Sequence, residues 1–254
     1  MKIAIWNVNS IKARAEHAVK WLATHKPAAL MLQELKGLEF DTTGFEALGY
    51  HTHFVGQKAY NGVAILTRKQ ATVILSKLPG DDSDEQARYL EVDYEGLRLI
   101  NIYAPNGNPV DSEKFPYKLA WLARLRDRLA QLRRDDIAFA IGGDFNIIPE
   151  ERDCWDAKIW ADDALFRLES RQAFRRIIHL GLTDAFRVRN QSAGQYSFWD
   201  YQAGAWPQNK GIRIDHFLLS PTIADRLIDC TIDKEPRGWD KASDHTPVLL
   251  EIAA

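Results

Sequence analysis

The chain has 254 residues, 46% hydrophobic and 27% charged, a balance that fits a globular protein and excludes a disordered or fibrous one. Its 33 Lys and Arg against 35 Asp and Glu leave a formal charge of −2, so a polyanionic partner must be held by local basic groups or a metal. Two cysteines, Cys154 and Cys230, exclude a disulfide scaffold and read as reduced thiols of a cytoplasmic protein. No apolar run is long enough to cross a membrane, and residues 1–6 read as a strand rather than a signal peptide.

The chain opens with a strand over residues 2–8, and Ser10 stands where it can cap a helix over 11–25. Strands follow at 28–33 and 62–67, the first apolar enough to be covered on both faces. The Pro- and Asp-rich stretch 79–85 is a solvated loop. Residues 88–94 alternate apolar and polar, which gives a strand with one wet face, and 97–104 form the next strand. A long helix starts at Asp111 or Ser112 and runs to Arg134. Leu119, Leu122, Leu125, Leu129 and Leu132 form its apolar stripe, and its arginines face water. A buried strand at 137–141, a helix over 170–180 ended by Gly181, and strands at 212–220 and 246–252 complete the chain. No repeat or linker divides it, so residues 1–254 read as one domain. Roughly a dozen strands and three or four helices suggest two stacked sheets with helices outside, the loops carrying the chemistry.

Five apolar runs share one property: acidic or amide side chains follow or end them. These are Asn7 with Asn9, Glu34, Asp144 with Asn146, Asp215, and Asp244 beside His245. A carboxylate at the end of a buried strand costs several kcal/mol unless it is paired, hydrogen-bonded or metal-bound. Together they point to one pocket holding a hard cation such as Mg2+. Asp144 and Asn146 lie two apart after Gly142 and Gly143, glycines that allow a tight turn. In an extended segment both side chains project to one side, suited to orienting water and donating to a phosphoryl oxygen; an Asx turn is the plainer reading. His245, with Asp244 adjacent and Asp215 in another strand-end segment, is a candidate acid or base, because a carboxylate on one imidazole nitrogen makes the other more basic. No Gly-x-Ser-x-Gly elbow supports acyl-enzyme chemistry. Tyr103 and Asn106 bracket a Pro-fixed turn as candidate phosphate contacts. Tyr196, Phe198, Trp199, Tyr201 and Trp206 surround a polar loop with Lys210, an arrangement expected to expose rings for stacking on a nucleobase or sugar.

Taken in order, Asn7, Glu34 within Leu-Gln-Glu-Leu-Lys, Asn61-Gly62-Val63-Ala64-Ile65, Tyr103-Ala-Pro-Asn106, Gly143-Asp144-Phe-Asn146, Arg213-Ile-Asp215 and Ser243-Asp244-His245 resemble a known family. It is the exonuclease III/AP endonuclease branch of the endonuclease–exonuclease–phosphatase superfamily, and the match covers nearly the whole chain. The resemblance implies an α/β fold: a four-layer α/β sandwich, two stacked mixed β-sheets flanked by helices. It implies a Mg2+- or Mn2+-dependent nuclease of double-stranded DNA that cuts 5′ to abasic sites and removes nucleotides or blocking groups from 3′ ends. A cytoplasmic monomer with no membrane partner is expected. The same resemblance makes Tyr103, Asp144, Asn146, Asp215 and His245 catalytic, with Asp215–His245 as a base dyad. Asp144 would orient or deprotonate the attacking water, or protonate the leaving group. Metal contacts fall to Asn7, Glu34, Asp144, Asn146, Asp244 and His245. DNA and phosphate contacts fall to Asn7, Tyr103, Asn106, Asn146 and Arg213. Phe198, Ile212 and Ile214, supported by Trp199, would receive a flipped-out abasic sugar. Two departures are visible: Asn9 stands where some relatives carry a metal-binding Asp, and the loop 107–113 has no arginine. The competing readings are a phosphodiesterase of the same superfamily acting on a lipid headgroup or phosphoinositide, and a non-catalytic nucleic-acid-binding module.

Overall fold

In β1 (Lys2–Asn7), Ile3 and Ile5 point one way and Ala4 and Trp6 the other, and all four are buried. Such a strand needs cover on both faces. The computed structural model, which describes residues 1–253, provides it. One six-stranded mixed sheet runs, edge to edge, through Leu227–Ile232 (β11), Val248–Ile252 (β12), β1, Ala29–Gln33 (β2), Val63–Thr67 (β4) and His51–Val55 (β3). The second runs through Thr72–Leu75 (β5), Tyr89–Tyr94 (β6), Leu97–Tyr103 (β7), Phe139–Asp144 (β8), Asp215–Leu219 (β10) and Thr183–Asp184 (β9).

Ile3, Ile5, Met31 and Ile65 of the first sheet pack against Val92, Leu99, Phe217 and Leu219 of the second. On the outer face of the first sheet, Ala4, Trp6 and Leu30 meet Trp21 and Leu22 of α1 (Ile11–His25) and Phe45 of α2 (Thr43–Ala47). On the outer face of the second, Ile100, Phe139 and Ile141 meet the leucine stripe of α3 (Lys114–Arg134). Beyond the short α4 (Ala157–Trp160), α5 (Leu168–Ile178) adds Phe174 and Ile177 to that core. Helix, sheet, sheet, helix is the four-layer order expected from the resemblance. Both cysteines are free and buried. Among the described residues no helix is long and apolar enough to cross a membrane.

The four strands the hydropathy pattern does not reveal, β3, β5, β9 and β11, are the four sheet edges. An edge strand is only half-covered, and His51-Thr52-His53 carries little apolar signal. The strand expected at 137–141 instead runs from Phe139 through both glycines to Asp144. Those glycines make room rather than a turn. A Cβ on Gly142 would lie 2.7 Å from the Phe217 ring, and one on Gly143 (φ +138°) would lie 2.0 Å from the Ile102 carbonyl oxygen. The strand expected at 212–220 is shortened to Asp215–Leu219, because Ile212 leaves the sheet to pair with Phe198 and Cys154. Ser10 (φ +91°) makes no side-chain cap. Its N–H and that of Ile11 donate to the carbonyls of Glu34 and Leu35, which ties the start of α1 to the loop after β2.

Candidate active site

Strand direction alone gathers the polar ends. β1 and β2 are parallel, as are β7 and β8, while β10 and β12 run antiparallel to their neighbours. The C-terminal ends of the first four and the N-terminal ends of the last two therefore meet at one rim. Register completes the placement: Tyr103, Asp144 and Asp215 are cross-strand partners, and Asn7 pairs with Gln33, one residue before Glu34. Just below the rim, Gln33 Nε2 donates to Asn101 Oδ1 at 2.7 Å, while Asn101 Nδ2 donates to the carbonyls of Leu32 and Ala64. This buried network stitches the two sheets together under the site.

Asn7 Nδ2 donates to Glu34 Oε1 and to Asp144 Oδ2, each at 3.0 Å, while its Oδ1 accepts from the Asn9 N–H. Glu34, held at φ +55°, turns its second oxygen to Lys36 Nζ at 2.9 Å. Glu34, Asp144 and His245 each offer a ligand atom within 4.8 Å of the others, a spacing a single cation can bridge. His245 Nδ1 lies 2.9 Å from Asp215 Oδ2, which also accepts from Ser197 Oγ at 2.6 Å, so the free Nε2 faces Asp144 Oδ2 at 3.7 Å. Asp144 Oδ1 accepts from the Asn146 N–H, the Asx geometry, and Asn146 (φ +50°) holds the Ala104 carbonyl while accepting from Asn106 Nδ2. Over these groups lies a cavity of about 280 Å3, walled on its apolar side by Phe198, Ile214, Leu165 and Trp160.

Burial pushes the Glu34 carboxyl up, but the Asn7 hydrogen bond and the Lys36 ammonium outweigh it and hold the group below its ordinary value. Asp144 moves the other way. Burial, with the Asp215 and Glu34 charges beside it, outweighs the pull of His245 and raises its pKa. Burial alone would lower His245, yet Asp215, through charge and hydrogen bond, and then Asp144 raise it well above a free imidazole. Burial, Glu34 and Asp144 raise Tyr103, so its phenol stays a neutral donor.

The structure corrects several expected contacts. Asn7 spends its amide on the two carboxylates and has no donor left for a phosphate. Arg213 is 1% exposed, and its guanidinium is taken by Asp153 and Asp184. It braces the chain before Asp215 and cannot touch DNA. Ile212 is buried behind the cavity, and Trp199 packs between Tyr196 and Trp206 with its Nε1 on Asn209, so neither faces a sugar. Most of the aromatic cluster is thus a small core of its own, and Phe198, 4.9 Å from the His245 ring, is the member that reaches the cavity. Asp244 lines the cavity but sits outside the three-residue cluster, with Oδ1 taken by Asn9. Asn146 faces the cavity with its oxygen already engaged by Asn106.

Sequence reasoning missed three contributors. Lys36 ends the Leu-Gln-Glu-Leu-Lys motif, but nothing in the string pointed to its pairing with Glu34. Ser197 sits on Asp215 from a loop 18 residues away. Lys118 did carry a signal, a lysine inside the apolar stripe of α3, three residues after Phe115 and four before Leu122.

The sequence profile described as Endonuclease/Exonuclease/phosphatase family matches residues 4–245. The chain belongs to that family. Within it the chain is 34% identical over 266 residues to exodeoxyribonuclease III of Haemophilus influenzae, covering 99% of this chain and 100% of the relative. It is 36% identical to a 3′ phosphatase from Neisseria solved with a product DNA hairpin, at a TM-score of 0.97 and full coverage of both chains. An AP endonuclease from Archaeoglobus fulgidus superposes with a TM-score of 0.95 at 35% identity, again over both whole chains. These relatives place the chain in the exonuclease III and AP endonuclease branch of the family.

Proposed function

We propose that this chain is a divalent-metal-dependent DNA-repair phosphodiesterase that hydrolyses the backbone 5′ to abasic sites and trims nucleotides or blocking groups from 3′ ends. The observation that carries the reading is the convergence of Glu34, Asp144 and His245, with Asp215 behind the imidazole, under a cavity lined by amide and phenol donors. In this reading Glu34 would hold the cation, preferably Mg2+, with Asp244 and Asp144 at its margin, a set of hard oxygen donors as that ion prefers. When bound, the cation supplies positive charge where the transition state gains negative charge.

The remaining work falls to the chain's own groups. Asp144, whose Oδ1 is held by the Asn146 N–H and whose Oδ2 faces His245, takes a proton from the attacking water. The water oxygen bonds to phosphorus as the P–O3′ bond breaks, and the proton that Asp144 took passes through solvent to the leaving oxygen, which ends as a 3′ hydroxyl. His245, kept charged by Asp215, donates to a phosphoryl oxygen rather than serving as the base expected of the dyad. Tyr103, Asn106 and Asn146 add neutral donors. Phe198, Ile214 and Leu165 make an apolar wall for a deoxyribose without its base, which has lost its stacking and is extruded at little cost. We read the protein as a cytoplasmic monomer formed by a single domain; Ala254 lies outside the described residues.

The deciding assay is a duplex with one tetrahydrofuran abasic analogue. Incubation with Mg2+ should nick it 5′ to the lesion, and EDTA should stop the reaction. Hydrolysis of sphingomyelin or a phosphoinositide without nicking would move the activity to lipid phosphodiesters, and binding without any hydrolysis would make the chain a binding module.

A further inference from the structure

The most unusual buried group outside the reacting cluster is Lys118. Its side chain is fully buried on α3, and among the described residues no carboxylate pairs with it. An ammonium in such a place costs several kcal/mol unless its donors are satisfied. They are, by main chain alone: Nζ lies 2.9 Å from the Asn106 carbonyl, 2.5 Å from that of Asn146 and 3.3 Å from that of Ala164. Three N–H groups meet three oxygens.

The oxygens come from three separate loops, those after β7, after β8 and between α4 and α5. Two of the three belong to the residues whose side chains face the cavity as amide donors. The surroundings are shaped to this lysine. Gly107, at φ +92°, leaves the space through which the side chain passes, since a Cβ there would lie 2.7 Å from Lys118 Cδ. Above it, Asn108 Nδ2 donates to Asp163 Oδ1 while Asn108 Oδ1 accepts from the Ala164 N–H, latching two of the same loops together.

We propose that Lys118 is a positioning residue whose buried ammonium sets the backbone under Asn106 and Asn146, so that both amides meet the phosphoryl group as its charge develops. The proposal rests on the nuclease reading above and deepens it. Donors of this kind act on the transition state more than on the bound substrate, so their displacement lowers kcat rather than affinity.

The test compares the whole protein with Lys118→Met, which keeps the length of the side chain and removes the charge. Four quantities are measured: kcat and KM on the abasic duplex with Mg2+, the dissociation constant for the same duplex in EDTA, and the Mg2+ concentration for half-maximal rate. The expected result is a fall in kcat of about 100-fold, with the other three values within about threefold of wild type. A purely structural lysine would weaken DNA binding together with rate. Gly107→Ala is the second variant. It retains the ammonium but presses on its stem, and the same kcat-selective loss is expected, which keeps the idea decidable if Lys118→Met does not fold. Wild-type kcat in either folded variant, or a loss confined to KM, overturns the role of Lys118. A wild-type protein that leaves the duplex intact overturns instead the nuclease reading beneath it.

Discussion

Replacing Asp215 by Asn tests the electrostatics of the site while keeping its shape. The carboxylate accepts from His245 Nδ1 at 2.9 Å and from Ser197 Oγ at 2.6 Å, and both Asp215 and His245 are nearly fully buried. Asparagine fills the same volume and can still accept from Nδ1–H, so what is lost is one negative charge. Two unit charges about 4 Å apart at an effective dielectric of about 20 attract by about 4 kcal/mol, equivalent to about three decades in rate if the attraction is realised only while the imidazole is charged. A fall in kcat of about 10²–10⁴-fold is therefore expected, with little change in KM. The sign of the pH effect follows from the cause of the shift. Asp215 raises the His245 pKa, so the imidazolium of the wild type persists to higher pH, whereas burial alone would lower it in the variant. The deficit should then be small in mild acid and widen as pH rises. Nicking of a labelled abasic duplex under single-turnover conditions from acid to alkaline pH reads both effects. A variant that stays within threefold of wild type across that range would show that the dyad is structural and that another group carries the charge.

Three further perturbations address metal, packing and the buried ion network. Glu34→Gln removes the carboxylate that Asn7 and Lys36 hold ionised; Mg2+ affinity by titration calorimetry and nicking rate should both fall at least about 10-fold, and unchanged Mg2+ affinity would exclude Glu34 as a ligand. Gly143→Ala places a methyl 2.0 Å from the Ile102 carbonyl oxygen in the middle of a paired strand, and urea unfolding should show a loss of about 3 kcal/mol or more; a native-like midpoint would refute the packing argument. Asp153→Asn removes a partner of both Arg187 and Arg213, leaving buried positive charge at an expected cost of about 3–5 kcal/mol. Burial pushes that carboxyl up, but Arg213 and Arg187 hold its folded pKa below 3.8, so its stabilisation is present above that value and vanishes as pH falls through the folded pKa. Wild type and variant should therefore converge in stability in acid, and a gap that persists there would refute the assignment.

Why some of this was legible from the sequence and some was not comes down to which constraints are local. A strand buried on both faces needs an apolar run, and a polar residue tolerated at its end needs a partner, so Asn7, Glu34, Asp144 and Asp215 stand out in the sequence itself. The helix ending at Arg134 was visible as a one-sided leucine stripe, although it starts at Lys114 rather than at Asp111 or Ser112. The edge strands were not, because half-covered backbone makes no such demand on composition. The aromatic cluster misled in the opposite direction. Rings next to polar residues look exposed in a linear string, but Trp199 is enclosed by Tyr196, Trp206 and the loop between them, a contact that only the folded turn creates.

Arg213 and Lys118 show the same limit for charge. Sequence places Arg213 beside Ile214, which lines the cavity, and in a protein expected to meet DNA a cation there suggests a phosphate contact; Lys118 shows in sequence only as a lysine in an apolar stripe. Arg213 is turned inward by Asp153, 60 residues away, and Asp184, 29 residues away; Lys118 is turned inward by the carbonyls of three loops. Neither partner set has a local signature. Arg213 and Lys118 therefore hold up the acidic and amide groups from behind, and the site that meets the substrate is itself rich in carboxylate. A divalent ion bound there would offset that negative charge where the phosphodiester reacts, while the duplex on either side can be held without it.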